Sequence, residues 1–472
     1  MKADKKKTAQ SSWWSSSLFL LLLFASLACQ AVTGLISPSP TSIPPTDTST
    51  PSPSPLPPPF TLTPTLTPSP VPVSPTPAAT LTLAVTPSAV QRKIFNELWQ
   101  IVDEEYLYAD FNGLDWDAVY TEYYRRVEDG MTDMDFYAAM DEMIAHLGDD
   151  HSVFLSPEEA AQEDSEMAGE NDYVGIGVLT TSVPQRQRVT VVVVFPDSPA
   201  ERAGLKPHDS ILAVDGQPIM DDQGIRRDLL DGPENTSLTL TVQTPGETSR
   251  QVHLLRERVK GAVPVPAQVL LSPGGIRAGY LILPTFGDET IDDQVEEGLQ
   301  RLGQDEPLDG LILDNRQNPG GSDTVLRNML AHFTSGNLGE FVNRRQRGRD
   351  LIVAGQDVNG SLTIPLVVLI GKDTASFAEI FSGILKNVGR AYLIGERTDG
   401  NIEILWGYDF EDGSRAWIAH DTFRPSPNPE MDWETSGIIP DLTVDTDWDQ
   451  VTLETDPTIA AALQYLEQQI AE

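Results

Sequence analysis

Three textures of apolar and polar positions follow one another along residues 91–472. From 91 to 148 apolar residues recur every three or four positions: Ile94, Phe95, Leu98, Ile101 and Val102, then Phe136, Ala139, Met140, Met143, Ile144 and Leu147. That period turns one face of each segment inward and predicts a small helical unit, which ends in "LGDDHSVFLSP". From 170 to 258 the apolar runs shorten to "YVGIGVLTT", "RVTVVVVFP", "DSILAVDGQPI" and "SLTLTVQT", separated by turn residues, which predicts a β-rich domain. Between two of these runs, "SPAERAGLKPHD" reads as a short helix and turn. From 259 onward, apolar strands alternate with helices: "AGYLILPTF", "DDQVEEGLQRL", "LDGLILDNR", "TVLRNMLAHF", "IPLVVLIG", "SFAEIFSGILKNV" and "AYLIGE". This alternation predicts an α/β core around a largely buried sheet. The expected fold class is α+β multidomain, with a helical unit at 91–168, a β-rich domain at 169–258 and an α/β core at 259–472.

The first ninety residues carry a different signal. Lys2, Lys5, Lys6 and Lys7 precede "LFLLLLFASLA" at 18–28, a run too short to span a bilayer comfortably but suited to a signal peptide. The run ends in "SLAC", which resembles a bacterial lipoprotein box with Ser26 where leucine is usual. Lipidation of Cys29, ordinary cleavage and an uncleaved anchor all remain open, and each implies export. Cys29 is the chain's one cysteine, so no intrachain disulfide can form. Residues 31–90 hold 17 of the 37 prolines among Ser and Thr, a composition that favours extended polyproline II and cannot build a core. The expected role of residues 30–90 is a stalk holding the body away from a membrane, on the extracytoplasmic face.

Charge narrows the partners. Lys and Arg total 32 against 70 Asp and Glu, for a net charge of −38. A nucleic-acid surface needs clustered basic residues, so that class is excluded as a partner. Oligomeric state is not readable from such a surface.

The candidate chemistry lies in the last third. Ser376 follows the strand "LVVLIG" and opens a helix, where a serine serves as a cap or as a nucleophile raised beside backbone N–H groups. "LILDNRQNPGGS" at 311–322 also ends a strand, and Gly320 and Gly321 can turn N–H groups toward a developing oxyanion. "GIGV" followed by "SPAERAGLKPHDSILAVDGQPI" looks like a PDZ domain of the bacterial protease type. Such domains add a peptide as an edge strand. The N–H groups of Val174, Gly175, Ile176 and Gly177 would hold the terminal carboxylate. A PDZ-like fold that packs internally and binds nothing is the alternative.

Taken in order, "DDHS", the PDZ-like segment, "RQNPGG", the serine at a strand–helix turn, "GERTDG" and "GIIPD" resemble the C-terminal processing peptidases. These are also called tail-specific proteases and are related to the tricorn protease core. The resemblance covers roughly residues 91–460. It implies a crotonase-like ββα peptidase core, Ser376 as nucleophile, and an oxyanion hole from Gly320 or Gly321 with Ser376 or Phe377. It implies unstructured protein C-terminal tails as partners and no cofactor; the residues themselves suggest no metal site.

The sequence departs from the family at the general base. Most members place a lysine after "GE-x-T-x-G", where this chain has Asn401, and an amide cannot take a proton from serine. No lysine follows Lys386. Lys386 lies ten residues into the helix that Ser376 opens, ~15 Å along its axis, and Lys372 precedes the turn. A tricorn-like subset instead uses a histidine from the helical region, supported by a serine and a glutamate. That implies His151 as base, with Glu434 orienting it, through Ser152. A structural His151 remains open, since lysine-using members also carry this histidine. So does a pseudo-peptidase that binds tails or another ligand without cleaving.

Overall fold

The computed structural model describes residues 86–149 and 151–471. The signal run, Cys29 and the proline-rich stretch to residue 85 lie outside the described residues. Among the described residues no helix is long and apolar enough to cross a membrane.

Three helices, Ala89–Glu105, Trp116–Glu128 and Asp133–Ala145, form the unit that the 3.6-residue period predicts. Side chains of Ser88, Asp115 and Thr132 cap their first turns. The inward faces bury Ile94, Phe95, Leu98, Met140, Met143 and Ile144. This apolar cluster is closed by Phe154 and, far along the chain, by Phe410, Ala416, Ile418 and Ala419. The contact is made by Val153–Leu155, a short strand in the "HSVFL" stretch that pairs antiparallel with Arg415–Pro425. The segment after the helices is therefore stitched into a sheet of the C-terminal core.

The β-rich domain is a five-strand path in the order Val178–Val183, Arg188–Val194, Ser210–Val214, Ser237–Gln243 and Arg250–Leu255, all antiparallel. Val178–Val183 is an edge strand. A separate ribbon, Asn171–Gly175 with Glu257–Gly261, carries the chain in and out of this domain.

The core holds two sheets. One runs Ala267–Leu271, Arg277–Ile282, Gly310–Asp314, Leu366–Ile370, Tyr392–Gly395, Leu442–Thr443, and is parallel after its first pair. Gly310–Asp314 and Leu366–Ile370 are buried at every position, as sheets covered on both faces require. Helices Ile291–Leu302, Asp323–Phe333 and Phe377–Asn387 lie in the crossovers. The second sheet is antiparallel, with hairpins Gly336–Asn343/Gly348–Val353 and Ile404–Asp409/Arg415–Pro425. It corrects the expectation of simple strand–helix alternation to the end of the chain: two hairpins interrupt it, packing against the helices of both units.

Candidate active site

Gly310–Asp314 and Leu366–Ile370 are neighbours in the parallel sheet, so the turns at their carboxyl ends are brought side by side. Ligand sites gather at such ends. The first turn carries Gly320 and Gly321, the second carries Ser376.

Ser376 sits at φ +54°, ψ −129°, a conformation that side-chain-bearing residues avoid and that costs ~1–3 kcal/mol. The surroundings hold it there. Its N–H donates to the Asn401 carbonyl at 2.8 Å and to Glu379 Oε2 at 3.2 Å. Glu379 is fully buried, and its carboxylate also accepts from the N–H groups of Gly400 (3.0 Å) and Asn401 (2.9 Å) and from the Thr398 hydroxyl. Burial raises its pKa, against the pull of these donors. Glu379 thus clamps the serine turn to the loop before Asn401, a role not apparent from its place in a helical pattern.

The glycine turn packs onto the serine from the other side. A Cβ on Gly320, at φ +94°, would lie 2.7 Å from Ser376 Cβ and 2.9 Å from the Ala375 carbonyl oxygen. A Cβ on Gly321 would lie 2.0 Å from the Phe286 backbone. Only glycine fits either position. The Gly320 N–H, expected as an oxyanion donor, is committed to Asn318 Oδ1 at 2.9 Å. The N–H groups of Gly321 and Phe377 have no acceptor among the described residues. Those two are the donors left for a developing negative charge. Beneath the turn, Arg316 is buried between Asp314 and Asp456, each 2.7 Å away, which fixes the strand end from which the turn departs.

The lysines are engaged elsewhere. Lys372 pairs with Asp447 at 3.1 Å, and Lys386 with Asp441 at 2.9 Å. Asn401, in the place the resemblance gives to lysine, does lie beside Ser376, through its carbonyl.

His151 approaches the same segment from the helical side. Asp149 accepts from the N–H groups of His151 (3.1 Å) and Ser152 (2.8 Å), which folds the turn that presents the imidazole. His151 Nδ1 lies 3.5 Å from Glu403 Oε2, with side chains 15% and 4% exposed. Glu403 Oε1 accepts from the Tyr108 hydroxyl at 2.8 Å. The carboxylate against His151 is thus Glu403, where Glu434 was expected. Glu434 accepts from the Ile402 N–H at 2.7 Å, and burial, then the neighbouring Glu403, push its pKa up to about 8. The expected link through Ser152 is not made either: its hydroxyl donates to Asp149 at 2.6 Å and accepts from the Ala419 N–H at 3.0 Å. Glu403 was in view in "GERTDGNIE", but an acid entering a strand gives no sign in sequence of the histidine it will meet.

Ser376 and His151 therefore converge on one stretch of chain, 401–403. The serine holds the carbonyl of its first residue and the histidine faces the carboxylate of its third. Two residues of extended backbone span ~7 Å.

The β-rich domain faces the two turns that lead to this site. A cavity of about 960 Å³ runs from Ile176, Gly177 and the edge strand Val178–Val183 to Gln317 and Pro319 of the glycine turn and Asp373 of the serine turn. Val174 and Gly175, expected to hold a peptide carboxylate, belong instead to the ribbon with Glu257–Gly261, and the Val174 carbonyl accepts from Gly232. Ile176 and Gly177 line the cavity.

Buried parallel strands that bring a strained serine and a glycine turn together, behind a PDZ fold, define a PDZ-bearing serine-type peptidase. The comparisons agree. Residues 277–444 match the model of peptidase family S41, residues 87–145 the tricorn protease C1 domain and residues 190–244 a PDZ domain. The carboxyl-terminal-processing protease of Synechocystis is 31% identical over 402 residues, covering 82% of this chain and 90% of that one. The chloroplastic carboxyl-terminal-processing peptidase 2 of Arabidopsis thaliana is 30% identical over 363 residues, covering 74% and 68%. The solved photosystem II D1 C-terminal processing protease superimposes with a TM-score of 0.55 at 27% identity, covering 80% of this chain and 98% of that one. This chain belongs to the carboxyl-terminal-processing protease family.

Proposed function

We propose that the protein is an exported, membrane-tethered serine endopeptidase that cleaves protein tails delivered through its PDZ groove, with Ser376 as nucleophile and His151 as general base. The observation that carries this reading is the convergence of Ser376 and His151 on residues 401–403, where Asn401 leaves no lysine to act.

In this reading the His151 Nδ1–H is oriented by Glu403 Oε2, 3.5 Å away, which leaves Nε2 to take the Ser376 proton. The serine oxygen attacks the scissile carbonyl carbon. The tetrahedral oxyanion is met by the N–H groups of Gly321 and Phe377. The imidazolium then protonates the leaving amine, the C–N bond breaks, and an acyl-enzyme remains on Ser376. Water, deprotonated by His151, repeats the sequence and releases the acid. This mechanism requires the 3.5 Å separation of His151 and Glu403 to shorten when substrate is bound.

One observation favours a second reading: an amide stands at the family's lysine position. A tail-binding protein that has lost cleavage fits that fact. Hydrolysis of casein by the full chain separates the two, run at about pH 7.5, near neutrality where an imidazole base is effective. Loss of cleavage in both Ser376→Ala and His151→Ala supports the serine–histidine peptidase. Loss in Ser376→Ala alone removes His151 as base, and no cleavage by folded wild type favours the binder.

A further inference from the structure

The cavity between the PDZ edge strand and the serine turn has an unequal charge. Six of its lining residues are carboxylates and one, Arg226, is a cation. Glu166 accepts from the Gln162 amide at 2.8 Å and Asp373 from the Gln317 amide at 3.2 Å, and two others are held more firmly. Asp172 pairs with Arg258 and with Lys260 (3.0 Å), and Asp288 turns inward to the N–H groups of Val263 (2.7 Å) and Thr290 (2.9 Å). Glu166, Glu170, Asp231 and Asp373 have no salt bridge among the described residues. Arg226 is held on the edge strand by the Thr180 hydroxyl at 3.0 Å.

Asp231 is the best placed of these. A Cβ on Gly175 would lie 2.4 Å from Asp231 Oδ1, so the carboxylate rests against the residue just before Ile176 and Gly177. The Gly232 N–H, bonded to the Val174 carbonyl at 3.2 Å, holds its neighbour there. A peptide that adds to Val178–Val183 brings its end to Ile176 and Gly177. Its terminal carboxylate enters the field of Asp231, which Arg226 and Arg256 offset in part, and its side chains pass Glu166 and Glu170. An acidic tail meets like charge at each step, and a neutral tail meets it at its end. A lysine or arginine among the last residues offsets it. Apolar residues of the same cavity, among them Phe195 and Leu230, serve any tail equally and so do not discriminate.

We propose that the groove selects protein tails carrying lysine or arginine close to their C-terminus, and that Asp231 is the residue that makes the selection. This rests on the tail-peptidase reading, and its test is a binding measurement that does not depend on cleavage. The full chain carrying Ser376→Ala is titrated with three fluorescent peptides that share an apolar end. Upstream of that end one has two lysines, one two glutamines and one two glutamates. The buffer is at about pH 8, well above the ordinary carboxylate range, because burial and then Asp228 raise the pKa of Asp231 against the pull of Arg226 and Arg256. At low salt the lysine peptide binds about tenfold more tightly than the glutamate peptide, and the gap narrows as salt rises. Adding Asp231→Asn reduces the gap to about threefold, the share left to the other carboxylates. Glu170→Gln, on an exposed side chain, narrows it as well and carries the test should Asp231→Asn fail to give a wild-type melting transition. Equal affinity for all three peptides, a gap insensitive to salt, or a gap unchanged in the variants overturns the proposal. Failure of every peptide to bind overturns it too, while casein hydrolysis by the wild type still decides the Ser376–His151 reading.

Discussion

Glu403→Gln removes one negative charge while keeping the side chain's length and shape. Oε2 of Glu403 lies 3.5 Å from His151 Nδ1, and both side chains are largely withdrawn from water. Unit charges at that separation interact by ~5 kcal/mol at an effective dielectric of 20, an upper bound before desolvation is counted. If about two-thirds survives, the imidazolium formed during attack loses ~3 kcal/mol of support, or 10²–10³ in rate. The amide adds a second fault. Tyr108 donates to Oε1 at 2.8 Å and fixes which end of the side chain faces it. The amide NH₂ then faces His151, favouring the tautomer whose Nε2 already carries a proton. The assay is kcat/KM for a quenched fluorescent peptide across the pH range, with Glu434→Gln alongside. The expected result is a 10²–10³-fold loss in kcat/KM for Glu403→Gln and a smaller loss for Glu434→Gln, because the Glu434 carboxyl is already protonated at neutral pH. A loss in Glu403→Gln below threefold, or a larger loss in Glu434→Gln, would refute the assignment of Glu403 as the group that orients His151.

The remaining predictions bear on stability and on the turns. Glu434 has a pKa raised in the folded protein to about 8, so the folded state holds a proton that the unfolded chain releases above pH ~4.5. The stability this group contributes therefore falls as pH rises from ~4.5 to about 8. Glu434→Gln removes that slope, so its melting temperature relative to wild type rises with pH across the window and then levels off; a difference that does not change with pH excludes the raised pKa. Gly320→Ala places a methyl 2.7 Å from Ser376 Cβ at a φ of +94°, and is expected to lower kcat/KM at least 10²-fold, whereas retention of half the wild-type rate would show that the turn does not abut the nucleophile. Glu379→Gln leaves one amide where three backbone N–H groups converge on a carboxylate, and is expected to destabilise the protein by ~2–4 kcal/mol in urea unfolding. An unchanged midpoint would deny Glu379 its role as clamp.

Much of this arrangement was legible because it is local. The helical faces of Ile94 to Val102 and Phe136 to Leu147 follow from one periodicity, and the buried strands from the apolar runs in "GLILD" and "LVVLI". Ser376 and the paired glycines stand at strand ends, a position visible in sequence. What escaped was contact between distant segments. Val153–Leu155 offers three residues to a sheet whose other strands lie more than 180 residues away, and no pattern that short specifies a partner. Glu403, Glu434 and Asp149 are all acids beside turns. Which of them faces His151 depends on how the helical unit docks, through Tyr108 and Ala419. "NPGG" left Gly320 and Gly321 both open as the oxyanion donor, because no pattern shows that the Asn318 side chain two residues earlier takes the Gly320 N–H.

The same carboxylates decide what would happen if the lysine were put back. Asn401→Lys in a His151→Ala background recreates the family's usual pair of groups, since Asn401 already lies against Ser376. The ammonium would enter a segment where Glu379 accepts the Asn401 N–H at 2.9 Å, Glu403 stands two residues on, and Glu434 holds the Ile402 N–H. The Glu403 carboxylate, joined by Glu434 as that group ionises above about pH 8, favours the charged form of lysine and raises its pKa above its ordinary ~10.4. A lysine base must instead be neutral near the working pH, which in other proteins is achieved by burial away from negative charge. The double variant is therefore expected to stay inactive near neutral pH and to gain cleavage only as pH approaches 10, with a rate still rising at the top of the range. Recovery to within tenfold of wild type at neutral pH would mean that these carboxylates do not govern the site, and that His151 is dispensable to it. The predicted failure would instead mean that the Glu403 and Glu434 pair suits a base on the helical unit across the cleft and not one in the serine's own loop. Activity then requires that unit to be docked, with the strand Val153–Leu155 paired to Arg415–Pro425, before any proton can leave Ser376.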